Sequence, residues 1–155
     1  MHKEDNMPVT SNILKLDETS PSIQTHLGII QGVIQRMAGN SSSCKAWCIT
    51  IVSAILVIVA DKGKPHFACV AFIPTVLFAG LDIYYLALEK GFRNSYNTFI
   101  KKLHSGNLTT EDLFSVVPEG NQSKLQVESM KSFAVWGFYL ALCVLIILAW
   151  AIVIR

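Results

Sequence analysis

Few residues of this chain pair a charged or reactive side chain with a position that makes it consequential. Asp82 interrupts the otherwise uncharged run Phe67–Leu88. A carboxylate at the centre of a membrane-crossing helix costs about 2.5–3.5 kcal/mol on insertion scales, so it is kept by a partner or by a task such as passing a proton or an ion. Lys45, which opens the apolar run Ala46–Ala60, is a candidate partner, and both roles stay open for Asp82. Arg36, Glu89 and Arg93 flank the same two runs. Cys44, Cys48, Cys69 and Cys143 lie in or beside apolar blocks. Cys44 and Cys48 share a helix face, but no histidine or second cysteine pair completes a metal set, so they read as small apolar packing. His2, His26, His66 and His104 are scattered and read as surface or interfacial residues. Without a nucleophile elbow, a phosphate-binding glycine loop or a zinc-binding His-Glu-x-x-His, the chain reads as a non-enzyme that needs no cofactor.

These residues are positioned by apolar helices. Of 155 residues, 52% are hydrophobic and 15% charged, and the net charge is only +2. No basic patch interleaved with aromatics points to nucleic acid. The first twenty residues are polar and acidic, without the apolar core of a signal peptide. Three apolar blocks stand out. The first, Ala46–Ala60, is shorter than the roughly 20 residues that cross a bilayer. It must recruit Ser43 and Cys44, with Lys45 snorkelling to the headgroups. The second, 66–88, follows the turn Asp61-Lys62-Gly63-Lys64-Pro65, in which Gly63 suits a left-handed helix end and Pro65 a helix start. Pro74 predicts a kink in it. The third, 132–154, is long enough to span with some tilt.

The predicted organisation is a flexible polar arm (1–21), an amphipathic helix leading into the membrane (22–45), and span 1 (46–60). Span 2 (66–88), its extension (89–104), a connector with a short helix (105–131) and span 3 (132–154) follow. Ile23, Leu27, Ile30, Ile34 and Met37 recur at helical steps, as do Phe92, Tyr96, Phe99 and Leu103. Gly39–Ser43 weakens helix propensity, and a near-continuous helix with a bend is expected there. Thr109–Asp112 reads as the start of a short helix over Leu113–Val117, and a last helix is expected to run unbroken from near Ser123 through the third span.

Folding the chain about Gly63 brings together residues whose numbers add up to about 126, at 1.5 Å per residue along each arm. Ile23 then lies level with Leu103, Leu27 with Phe99, Ile30 with Tyr96 and Ile34 with Phe92. Arg36 falls near Glu89 and Lys45 near Asp82. The expectation is therefore an all-α integral membrane protein: three transmembrane helices and a cytoplasmic antiparallel helical stalk. Lysine and arginine crowd the segments before span 1 and between spans 2 and 3, which places the N-terminus in the cytoplasm and the C-terminus outside. Trp47, Tyr84, Tyr85, Trp136 and Trp150 read as interfacial anchors. Small and weakly polar residues recur on spans 1 and 2, among them Ala46, Thr50, Ser53, Ala71, Thr75 and Ala79. Such faces pack helix on helix, or line a water-filled path in an oligomer.

The runs Arg36-Met37-Ala38-Gly39-Asn40-Ser41, Lys45-Ala46-Trp47-Cys48-Ile49-Thr50 and Leu81-Asp82-Ile83-Tyr84-Tyr85-Leu86-Ala87-Leu88-Glu89, with Phe92-Arg93-Asn94-Ser95-Tyr96, resemble a widespread family of small three-span bacterial membrane proteins. The resemblance covers roughly 23–155 and is loosest over 107–130. The layout is also similar to SLATT-type membrane effectors of bacterial defence systems, an architectural likeness. It implies an inner-membrane effector that oligomerises and perturbs the bilayer when a cytoplasmic sensor or regulatory protein signals infection. It makes Arg36, Lys45, Trp47, Asp82, Glu89 and Arg93 residues of interest. The alternatives are a non-enzymatic adaptor or structural subunit of a membrane complex, and a small transporter or holin-like protein.

Overall fold

The computed structural model describes residues 18–154, so most of the N-terminal arm lies outside the described residues. Among those residues all regular secondary structure is helical, without strands. Helix α1 spans Pro21–Lys62. Pro21 takes the first helical position, where its missing N–H has no acceptor to lose, and the Ser20 carbonyl accepts the Gln24 N–H at 3.1 Å. The helix passes through Gly39–Ser43 without interruption. It ends at Gly63, whose φ of 58° is the left-handed geometry and whose N–H bonds Ala60 O at 3.3 Å.

The return arm does not begin as an α-helix. Pro65–Ala71 forms a seven-residue 3-10 helix, and α2 (Phe72–His104) follows. Runs of 3-10 helix this long are uncommon, and Pro74 supplies a reason. It has no N–H to donate four residues back. The change of helix type places it third in α2, within the first turn, where such donors are dispensable. At Pro74, where the sequence predicts a kink, the helix type changes just before it. At the far end Gly106 (φ 69°) closes α2, with Asn107 N–H on Lys102 O at 3.0 Å.

The connector corrects two expectations. Only Thr110–Asp112 forms a 3-10 turn, fixed by a capping box between Thr109 and Asp112, and 113–117 is not helical. Pro118 disfavours α geometry at the residue before it, and Phe114 adopts a left-handed φ of 63°. The segment's polar groups bond to the hairpin instead. Ser95 Oγ donates to Val117 O, Glu119 N–H to Gly91 O at 3.0 Å, and Asn94 Nδ2 to Glu119 O at 3.3 Å. The last helix is also two helices: α3 (Gln122–Met130), capped by the Asn121 side chain on Lys124 N–H, and α4 (Phe133–Ile154). The break at Lys131-Ser132 falls where the sequence changes from polar to wholly apolar. There Ser132 N–H closes α3 on Ser129 O, and the Ser132 carbonyl accepts the Val135 and Trp136 N–H groups that open α4.

Two cores hold this arrangement. One joins Cys48 and Val52 of α1, Ala71, and Val135, Tyr139, Leu142 and Ile146 of α4. The other lies at the opposite end of the hairpin, where Ile23, Phe99 and Leu108 pack with Leu27, Leu103 and Leu113. Around the first core large apolar side chains point outward, including Ile58, Ile73, Val76, Leu140 and Ile152. Three helices are long and apolar enough to cross a membrane, in segments within Pro21–Lys62, Pro65–His104 and Phe133–Ile152. This is the pattern of a multi-pass membrane protein.

Candidate functional site: a buried carboxylate between three helices

Asp82 projects from α2 into the helix interface and is 0% exposed. Ser41 and Lys45 stand one turn apart on α1, so both side chains leave the same face toward it. The Ser41 hydroxyl donates to Asp82 Oδ1 at 2.5 Å, and Lys45 Nζ lies 2.5 Å from Oδ2. Lys45 Nζ also donates to Ser41 Oγ at 3.4 Å. The Lys45 side chain is 22% exposed, so its stem threads in from the edge of the bundle. From α4, Tyr139 packs into the same three-helix interface. It is 7% exposed, and its buried hydroxyl has no hydrogen-bond partner among the described residues. Cys44 is buried beside Lys45 on α1. One turn further on, the Cys48 thiol reaches Pro74 O at 4.0 Å.

An ionised carboxylate stays in such a place only when its charge is matched and its oxygens are occupied. Here the cation and the hydroxyl both come from α1. The site therefore clamps α1 to α2 at one register, with α4 closing the third side. Chemically the group can hold charge and lock the hairpin.

The remaining candidates fall elsewhere. Glu89 is buried and pairs with Arg93 at 2.6 Å, one turn along its own helix. Arg36 does not join it: among the described residues no ion pair reaches Arg36, which is exposed beside the inward-facing Met37. Equal depth put Arg36 level with Glu89 but on the wrong side of α1. The small-residue faces also part company. Ala71 and Thr75 of the return arm are buried and Ala79 is half-buried, whereas Ala46, Thr50 and Ser53 point away from the bundle. The inward face of α1 is Ser41, Cys44, Cys48, Val52 and Val59. Trp47, Tyr84, Trp136 and Trp150 are exposed and Tyr85 is half-buried.

His26 corrects another expectation. It is 1% exposed, its ring lies 4.4 Å from that of Phe99, and its Nδ1 accepts the Phe114 N–H at 3.0 Å. Its spacing from Ile23 and Ile30 already put it on the apolar stripe of α1. His66 and His104 are exposed, and His2 lies outside the described residues. The four cysteines are free, and no metal-holding cluster of His, Cys, Asp and Glu occurs among the described residues. Ser41 and Tyr139 escaped the sequence reading. The signal for Ser41 was its four-residue spacing from Lys45; for Tyr139 it was a polar tip midway along an apolar run. No protein-family model, curated protein or solved structure matches this chain.

Proposed function

We propose that this protein is a membrane-perturbing effector of a bacterial antiphage defence system. It works as a homo-oligomer in the inner membrane and is switched on through its cytoplasmic helices by a sensor or regulatory partner. The single observation that carries the reading is the outward face of α1. Ala46, Thr50 and Ser53 face away from the bundle at helical spacing, while the equivalent face of the return arm is used up internally. In lipid, helices meet through small and weakly polar residues, so an unspent face of this kind favours contact with another copy. Between the three helices the space is filled by Val52, Tyr139, Leu142 and Ile146, so a conducting path requires several copies. The defence context rests on the sequence resemblance, and the N-in, C-out orientation on the distribution of lysine and arginine.

Inducing the full chain in a bacterium while following membrane potential and dye entry tests this. The wild type depolarises the cell. Thr50→Leu/Ser53→Leu, whose bulk faces outward, still inserts but loses at least tenfold in depolarisation rate. Normal potential and growth with abundant inserted wild type would instead favour the second reading, a non-enzymatic adaptor. One observation favours that rival: Phe114, Val117 and Val127 expose apolar side chains away from the three spans, where a partner protein would find them.

A further inference from the structure

We propose that His26 is an acid-sensitive latch that holds the connector 107–121 against the helical hairpin and releases it when Nδ1 takes up a proton. The argument begins with the direction of one hydrogen bond. A backbone N–H can only donate, so Nδ1 of His26 must be the acceptor of the 3.0 Å contact to Phe114 N. That fixes the imidazole as neutral, with its proton on Nε2. Protonation turns Nδ1 into a donor pointing at another donor, and the bond is lost.

The residue at the other end of that bond is poorly held by anything else. Phe114 is the one non-glycine residue with a positive φ among the described residues, a conformation L-residues adopt only when surroundings impose it. Phe114 is 60% exposed and its ring meets His26 only edge-on, at 6.2 Å between centroids, so burial does not impose it. What holds the Phe114 backbone is the bond its N–H donates to His26 Nδ1. A proton has a route to the site, because a cavity of about 450 Å³ lies between the hairpin and the connector and is bordered by His26.

The charged neighbours set the direction of the response. From α1, Ile23 and Ile30 flank His26 and carry no charge. From α2 come Phe99, Thr98 and Lys102; from the connector, Glu111, Asp112 and Glu119 border the same cavity. Burial pushes the His26 imidazole below the usual histidine value, and the nearby Asp112 carboxylate partly opposes this. Asp112 is itself occupied by Lys102 at 2.7 Å and by the Thr109 N–H at 3.0 Å. The attached state therefore prefers neutral His26. Its latch is fully present above the free-histidine value of about 6.5 and is lost as pH falls through the lowered value.

Amide hydrogen exchange on the full chain in lipid nanodiscs reads this directly, with rates corrected for the intrinsic effect of pH. Between pH 7.5 and 5.0 the wild-type connector 107–121 loses at least tenfold in protection, while the 45–60 and 72–85 segments do not change. His26→Gln keeps a carbonyl acceptor but cannot titrate, so its connector stays protected at both pH values. Acid loss of protection in His26→Gln, or a wild-type connector indifferent to pH, overturns the proposal. If the variant's connector is unprotected throughout, nitrogen chemical shifts of the wild-type His26 ring decide. A titration midpoint coinciding with the loss of protection upholds the latch, and a separate midpoint overturns it.

Discussion

Asp82 and Lys45 are unequal partners, and single substitutions should expose the difference. Lys45→Met leaves a fully buried carboxylate with only Ser41 to satisfy it, which costs about 3–5 kcal/mol when one member of a buried pair is removed. Asp82→Asn leaves a lysine that is already partly exposed and can turn outward. It should therefore cost less than half as much, and Lys45→Met/Asp82→Leu should recover most of the loss. Reversible unfolding in mixed micelles checks the order; equal losses in the two single variants would place the stability elsewhere. This pair was legible in the sequence because counting from Gly63 gives residue depth. Ser41 was not, because Gly39–Ser43 reads as a weak point in a helix rather than a source of ligands. Counting also fails to say which way a side chain points, so Arg36 was brought level with Glu89 although it faces solvent and Arg93 holds the carboxylate.

Among the elements, one close approach seats the connector on α2 beside its hydrogen bonds. A Cβ at Gly91 would come within 2.8 Å of the Pro118 Cβ, and the neighbouring Gln122 amide nitrogen within 3.2 Å. Gly91→Leu should therefore push 117–120 off α2 and break the Glu119 N–H bond to Gly91 O. The expected result is at least a tenfold rise in proteolytic cleavage between 107 and 121, with the helix content of α1 and α2 intact. Cleavage unchanged from wild type would mean that the connector tolerates a shift along its whole length. The sequence marked the turn at 61–65 and the stop after His104, because glycine and proline leave local signatures. It misassigned 113–117, where Pro118 follows and where the backbone partners, His26 and Ser95, are remote in sequence.

At the scale of the molecule, the three apolar blocks and the antiparallel hairpin were readable from composition and spacing alone. The side each block turns to its neighbours was not. When both lipid and protein interior are apolar, a helix carries little pattern to distinguish its faces. On α1 the stripe Ala46, Thr50 and Ser53 reads as a helix-packing or path-lining face, yet Cys48, Val52 and Val59 occupy the interior. Cysteine and valine pack as closely there as alanine and serine would, and only the position of Asp82 selects which face turns in. Moving the anchor should therefore rotate the helix. Ser41→Ala/Lys45→Ala combined with Ser42→Lys displaces the cation by about 60° around α1, three residues falling one sixth short of a turn at 3.6 per turn. Cysteine labelling in lipid should then show Ile49→Cys protected and native Cys48 reactive, the reverse of the wild-type pattern.

The unbroken course of α1 has a mechanical consequence. Its 42 residues make one rod of about 63 Å at 1.5 Å per residue. Ile23 at one end and Val52 near the other belong to a single stiff body, pinned part-way by the Asp82 clamp. Any displacement that a partner imposes on the free end is thus delivered to the apolar end as leverage, with the clamp as its fulcrum. Ala38→Gly/Asn40→Gly, on either side of native Gly39, makes a soft point there without shifting the register of either core. The chain should still insert, but pushing on one end would no longer move the other.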